Sequence, residues 1–357
     1  MESTVSELPT TAWRPAKGGP ISTRIVCDDE SRVGEARRAA EAIARSCGLD
    51  EHARGTLAIV VTEAATNLAR HARGGVILLR DTSSIGVTGV ELLAVDAGPG
   101  MQDLERFFAD GYSTGGTAGA GLGAMRRQSD ELDVYSLPGK GTVVLSRIFA
   151  SDGNARPPHL LDVGVVCLPL DGETACGDGW CVRQDGDHAT VLLVDGLGHG
   201  PNAADAADTA ISVFRSIDAR TPKEIIALLH EALRATRGAA VAVAEVRRSS
   251  DGVTVDFCGV GNTVTALIGP AGPRSLPSMN GTAGLSVRGL QPFTQPWRPG
   301  ECLVMHTDGL TTRWRLDGYP RIREHDPAVI AAVLHRDASR GRDDATVLVF
   351  GLREAVA

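Results

Sequence analysis

The chain has 357 residues, a length that suits about two domains with separate hydrophobic cores. It is 43% hydrophobic and 22% charged, with a net charge of −8: 16 basic and 19 acidic residues over 1–150, 20 and 25 over 151–357. Neither half has the basic excess needed to grip nucleic acid, no apolar run approaches the roughly 20 residues of a membrane span, and the N-terminus lacks a signal-peptide core.

Residues 1–20, with three prolines and little apolar patterning, read as a flexible lead-in. ISTRIVC predicts a strand, and Val33, Ala36, Ala40, Ile43 and Cys47 recur at helical spacing after it. A second helix is expected from about Asp50 to Arg73, stopped by Gly74 and Gly75. GVILLR, VELLAVD, ELDVYS and GTVVLSRIF predict four more strands, completing an α+β unit near Ala150. The polar stretch 151–158 (SDGNARPP) marks a linker, dividing the chain into 21–150 and 159–357. Beyond it VGVVCL, WCVRQ, TVLLVD, AAVAVAEV, TVDFCGV, TVTALIG, ECLVMHT and ATVLVF predict eight short strands. Three helical stretches, NAADAADTAISVFRS, PKEIIALLHEAL and PAVIAAVLHR, lie between them, which suggests a two-sheet sandwich with outer helices. Seven cysteines, odd in number and without a CxxC pair, suit reduced thiols in the cytoplasm.

Chemistry concentrates in two places. On the second helix Glu63, Asn67 and His71 are spaced by four and share a face, drifting about 40° per step. A carboxylate above a carboxamide suits hydrated Mg²⁺ with a triphosphate, though the same spacing suits a solvent-facing polar stripe. VELLAV then ends in Asp96-Ala-Gly98-Pro-Gly100, where the carboxylate can accept from an adenine amino group and the glycines admit the ring. Gly119, Gly121 and Gly123 lead into a helix expected near Leu122, whose backbone amides suit phosphate oxygens. GxGxG with no strand directly before it is not a dinucleotide fingerprint, and GYSTG without a feeding strand is not a nucleophile elbow.

The ordered set E-x-x-x-N-x-x-x-H, D-x-G-P-G and G-x-G-L-G resembles the ATPase superfamily of gyrase, the large heat-shock chaperones and histidine kinases. With no phosphoacceptor helix and a short lid between Gly100 and Gly119, residues 21–148 are most similar to the serine/threonine switch kinases of bacterial partner switching. The resemblance implies a Bergerat-type α/β sandwich binding ATP with Mg²⁺. In it Asn67 would hold Mg²⁺, Glu63 would act as catalytic base toward a protein hydroxyl and Asp96 would read adenine. Gly98, Gly100, Gly119, Gly121 and Gly123 would line the nucleotide, with His71 structural.

The second place is a set of aspartates at strand ends. Asp178 precedes a strand, Asp195 ends TVLLVD, Asp308 ends LVMHTD, and Asp343 and Asp344 precede ATVLVF. In antiparallel sheets these ends share an edge, so the carboxylates can converge, and converging carboxylates favour hard Mg²⁺ or Mn²⁺ over zinc. Each Asp-Gly taken alone is equally good turn chemistry. GD, VDGLGHG, TDG and RDDATV over 158–353 resemble the metal-dependent type 2C protein phosphatases, in the compact SpoIIE branch. That resemblance implies an αββα sandwich with two Mn²⁺ or Mg²⁺. Asp195 would bridge them beside the Gly196 carbonyl, Asp178, Asp308 and Asp343 would complete the set, Asp344 would stand behind it, and His199 would be structural. GDGWCV lacks the second acidic residue that larger members carry after the GD.

Together the resemblances imply a bifunctional partner-switching regulator, a protein kinase fused to a phosphoprotein phosphatase. Its substrates would be STAS-domain proteins, with a sigma factor or phosphatase activator as a further partner. Two alternatives are a non-catalytic ATP-shaped binding module in the N-terminal half, and a phosphatase half acting on small phosphoesters.

Overall fold

The computed structural model describes residues 21–72, 74–102, 121–150, 159–218 and 220–353. The lead-in, the linker at 151–158, Gly119 and most of the lid lie outside these residues.

The N-terminal half runs β1 (Thr23–Cys27), α1 (Arg32–Ser46), α2 (Glu51–His71), β2 (Gly75–Asp81), β3 (Gly89–Val95), α3 (Gly121–Gln128), β4 (Glu131–Leu137) and β5 (Gly141–Phe149). Asp50 caps α2, its carboxylate accepting from the Ala53 amide at 2.8 Å. The sheet is antiparallel in the order β1-β2-β3-β5-β4. Strand alternation divides its side chains between two cores. Ile77, Leu79, Leu92, Ala94, Val144 and Ile148 meet α1, α2 and α3, while Leu78, Leu93, Val95, Val143 and Leu145 face the other way.

The C-terminal half contributes β6 (Leu161–Leu168), β7 (Asp178–Asp185), β8 (His188–Gly196), α4 (Pro201–Ser216), α5 (Pro222–Ala232), β9 (Ala239–Ser249), β10 (Gly252–Val260) and β11 (Val264–Gly269). It continues through β12 (Gly272–Ser275), β13 (Gly281–Thr282), β14 (Ser286–Val287), β15 (Phe293–Trp297), β16 (Cys302–His306), α6 (Pro327–Ala338) and β17 (Ala345–Leu352). Two five-stranded sheets, β15-β10-β9-β8-β7 and β12-β11-β16-β17-β6, stack through Val165, Trp180, Val191, Leu193, Phe257, Leu348 and Phe350. Helices α4 and α5 cover the first sheet through Leu192, Val194, Ile211, Phe214 and Ile226.

The expectation of eight strands falls short, because β12 and β15 are edge strands with alternating exposure and β13–β14 is a hairpin of two residues a side. The expectation of outer helices fails for α6. Nine of its twelve residues are buried, on all sides. One face packs on Val166, Val347 and Val349, the other on Leu93, Val95, Val143 and Leu145 of the N-terminal sheet. The layers therefore run helices, sheet, α6, sheet, sheet, helices, and the two halves share α6. The seven cysteines are all free, with the Cys167 and Cys176 sulfurs 3.9 Å apart.

Polar contacts tie this seam. Buried Arg147 grips the α6 N-cap Asp326 with two hydrogen bonds, 2.7 and 2.9 Å, while also pairing with Glu91 at 2.7 Å. Asp133 accepts from the Asp326 amide at 2.7 Å and meets the His325 ring at 2.8 Å. At the far end of α6, Arg336 donates to the Asp96 carbonyl at 2.8 Å.

Candidate functional site

The first site lies where α2, the end of β3 and the start of α3 meet. Glu63 and Asn67 stand one turn apart and half-buried, and His71 is exposed in the last turn. Burial pushes the Glu63 carboxyl above its ordinary range, against a smaller opposing pull from Arg70. Asp96 directly follows β3, and its Oδ1 accepts from the amides of Gly98 at 2.7 Å and Thr142 at 3.2 Å. Burial raises its carboxyl too, although both amides and Arg336 oppose the shift. The turn is tightly seated. A side chain at Gly98 would meet the His71 carbonyl at 3.3 Å, and Gly100, at φ 67°, would drive one to 2.3 Å from the Leu137 carbonyl. His71 thus meets this turn through its backbone. Gly121 opens α3 and Gly123 is buried within it, and among the described residues nothing comes within 4 Å of where a Gly121 side chain would begin.

The second site sits at one edge of the stacked sheets. β7 and β8 pair so that Asp178 lies directly opposite Asp195. β16 and β17 pair similarly, placing Asp308 just past one strand and Asp343 and Asp344 just before the other. The approach is close: a side chain at Gly309 would come within 2.0 Å of the Asp344 carbonyl. Burial first, then the Asp195 charge, drives the Asp178 carboxyl well above its usual range. Burial, then the charges of Asp308 and Asp343, push Asp195 up to about 7, although the Asp308 amide opposes this. Asp308 is raised by burial and by Asp343.

These directions show carboxylates brought together with only partial compensation, from the Asp308 amide, Thr307 and Arg340. Asp195 Oδ2 is buried with no hydrogen-bond partner among the described residues. An all-oxygen set with an orphaned, charge-strained carboxylate is the donor chemistry of a hard divalent cation. Among the described residues, no three His, Cys, Asp or Glu side chains are gathered closely enough to hold such an ion as they stand, so the set would have to tighten around it. Asp344 is otherwise engaged, since its oxygens accept from the amides of Leu170 at 2.7 Å and Gly177 at 2.6 Å. It fixes the backbone next to Asp178.

Several residues at these sites were not singled out from the sequence. Thr142 holds Asp96, and the GKGT run leading into β5 was the available signal. Thr307 donates to Asp178 at 2.7 Å, and Asn262 donates to Asp308 at 2.5 Å. Glu173 meets the His199 ring at 2.9 Å.

The fold is that of a histidine kinase-like ATPase domain joined to a type 2C phosphatase domain. The chain belongs to the histidine kinase-like ATPase domain family, matched through residues 26–147, and its residues 185–353 match the model of the stage II sporulation protein E (SpoIIE) family. Over 109 residues, 30% of this chain and 82% of the relative, it is 31% identical to the serine/threonine-protein kinase RsbT of Bacillus subtilis (strain 168). Over 159 residues, 44% of this chain and 75% of the relative, it is 24% identical to the phosphoserine phosphatase RsbX of the same organism. The structure of RsbX in complex with magnesium covers 55% of this chain and 97% of its own, at 20% identity and a TM-score of 0.48. The chain therefore joins a kinase-like ATPase domain to a type 2C serine/threonine phosphatase domain. Among the described residues no helix is long and apolar enough to cross a membrane.

Proposed function

We propose that this chain sets and resets one cytoplasmic protein switch, as a serine/threonine kinase through residues 21–150 and a phosphoserine/phosphothreonine phosphatase through 159–357. The phosphorylated partners we assign to it are STAS-domain proteins of bacterial stress or sigma-factor signalling. The observation that carries the reading is the Asp195 carboxylate, its Oδ2 without a partner among the described residues, opposite Asp178 and beside Asp308, in a set that fits a divalent cation better than it fits itself.

In the N-terminal half Asn67 would hold Mg²⁺ on the ATP phosphates, Asp96 would take the adenine amino group, and Gly98, Gly100, Gly119, Gly121 and Gly123 would line the nucleotide. Glu63, its carboxyl raised by burial, would take the proton of a serine or threonine hydroxyl as that oxygen attacks the γ-phosphorus and ADP leaves. In the C-terminal half Asp178, Asp195, Asp308, Asp343 and the Gly196 carbonyl would hold two Mn²⁺ or Mg²⁺. When bound, such ions neutralise phosphoryl oxygens and acidify water. Thr307 and Asn262 orient Asp178 and Asp308, and Asp344 keeps the loop before β7 in place.

Purified protein, a STAS-domain partner, ATP and Mn²⁺ test the division of labour. Asn67→Ala should abolish phosphorylation of the partner and leave dephosphorylation, and Asp195→Ala should do the reverse, with phosphate content read by mass spectrometry. One substitution that removes both activities would refute the assignment.

A further inference from the structure

The most exposed large apolar side chains among the described residues are Leu285 (58%) and Leu197 (51%), and both flank the same residue, Gly238. The Leu197 amide donates to the Gly238 carbonyl at 3.0 Å, and Leu285 Cγ lies 3.2 Å from where a Gly238 side chain would begin. Scattered exposed leucines are ordinary, and a leucine on a loose tip signifies little. These two are on clamped backbone. Ala283 and Ala239 exchange both amide hydrogen bonds at 2.8 and 3.0 Å, the Gly284 amide donates to His230 Nδ1 at 2.9 Å, and the Leu285 amide donates to the Thr282 carbonyl at 3.1 Å. The fold therefore holds both leucines out in water, at the loop that leaves Asp195.

Arg237 directly precedes Gly238. It is exposed, its Nη1 lies 3.4 Å from where a Gly198 side chain would begin, and no carboxylate pairs with it among the described residues. An unpaired guanidinium beside a carboxylate cluster is matched in charge to a phosphate monoester held there, and its planar fork fits two phosphate oxygens.

We propose that Leu197, Arg237 and Leu285 form the docking rim for the phosphorylated substrate. The occupant is a protein loop whose phosphoserine or phosphothreonine meets Arg237 and whose adjacent apolar side chain covers the two leucines. This deepens the phosphatase reading above and rests on it. The rim selects by neighbouring side chain, so the enzyme prefers a phosphorylated residue flanked by leucine to one flanked by polar groups.

Two fluorescein-labelled nonapeptides test this, each with the non-hydrolysable phosphonate isostere of phosphoserine at its centre, flanked by leucine in one and serine in the other. They are titrated by anisotropy into the full chain with Mn²⁺. The leucine peptide should bind about tenfold more tightly, the scale of covering one leucine-sized side chain. Leu285→Ser should bring the ratio to about one, since the rim then lacks its apolar tip. Arg237→Ala should weaken both peptides about tenfold and Arg237→Lys should recover part of the loss. A wild-type ratio of one, or a ratio that survives Leu285→Ser, overturns the docking rim. Turnover of the matching phosphoserine peptides by wild type separates the two failures. A chain that hydrolyses both without preference loses only the rim, whereas one that hydrolyses neither overturns the phosphatase reading and the rim with it.

Discussion

Asp195 holds a charge the fold does little to compensate. Its Oδ2 lacks a partner among the described residues, and burial, then the neighbouring Asp308 and Asp343, raise its carboxyl. In the metal-free chain this repulsion opposes folding. Asp195→Asn should therefore stabilise the metal-free protein by about 1–2 kcal/mol in urea unfolding at pH 8, and calorimetry should show that it no longer takes up manganese. With saturating manganese the order should reverse, because an ion that binds only the folded state stabilises wild type alone. A variant less stable than wild type without metal would mean that Asp195 is compensated after all. The aspartates were legible because each is a local pattern, a carboxylate at the end of an apolar run beside glycine. Their supports were not, because strand register delivers them from afar: Asn262 reaches Asp308 from 46 positions away, and Thr307 reaches Asp178 from 129.

Among the elements, α6 shows how far hydrophobic patterning goes. PAVIAAVLHR is plainly helical, and because it is apolar on every side it belongs between two layers. That signal was present, but placing the helix required knowing that the N-terminal sheet has a second apolar face. The short edge strands β12 and β15 were unreadable for the opposite reason: Pro273 and Pro296 interrupt them, and few of their residues are buried. The N-cap of α6 yields a stability prediction. Asp326→Ala removes a helix cap and two of Arg147's hydrogen bonds, although Glu91 and Glu131 remain beside that guanidinium. Urea unfolding should show a loss of about 3 kcal/mol. His335, on the same helix, is lowered by burial from 6.5 to about 4, with Arg24 lowering it further and Asp171 opposing. Between those values the unfolded chain binds a proton that the folded chain refuses. This residue's contribution is therefore intact above about pH 6.5 and lost progressively as pH falls toward 4, by up to about 3 kcal/mol. Unfolding midpoints of wild type and His335→Leu measured from pH 7 to 4 should diverge in that window, wild type falling faster.

At the scale of the molecule, the shared layer makes the two halves one cooperative body. Leu78, Leu93, Val95, Val143 and Leu145 share a core with residues of the other half, and buried Arg147 takes part of its neutralisation from Asp326. Unfolding either half would bare the other's apolar face and strand a buried ion, so partial unfolding is costly. The tryptophans offer a direct test: three of the four, Trp180, Trp297 and Trp314, lie in the C-terminal half, so a Trp13→Phe chain reports that half alone, whereas nucleotide is assigned to the N-terminal half. Tethered but independent halves would leave the tryptophan-detected midpoint unmoved by ATP. A single cooperative body passes the binding energy on: at a hundredfold excess over the dissociation constant, ATP with Mg²⁺ should stabilise the tryptophan-reported transition by about 2.7 kcal/mol. Asn67→Ala, which removes the proposed Mg²⁺ ligand, should lose most of that shift. Two calorimetric transitions, with only one responding to nucleotide, would show that α6 joins the halves without coupling them.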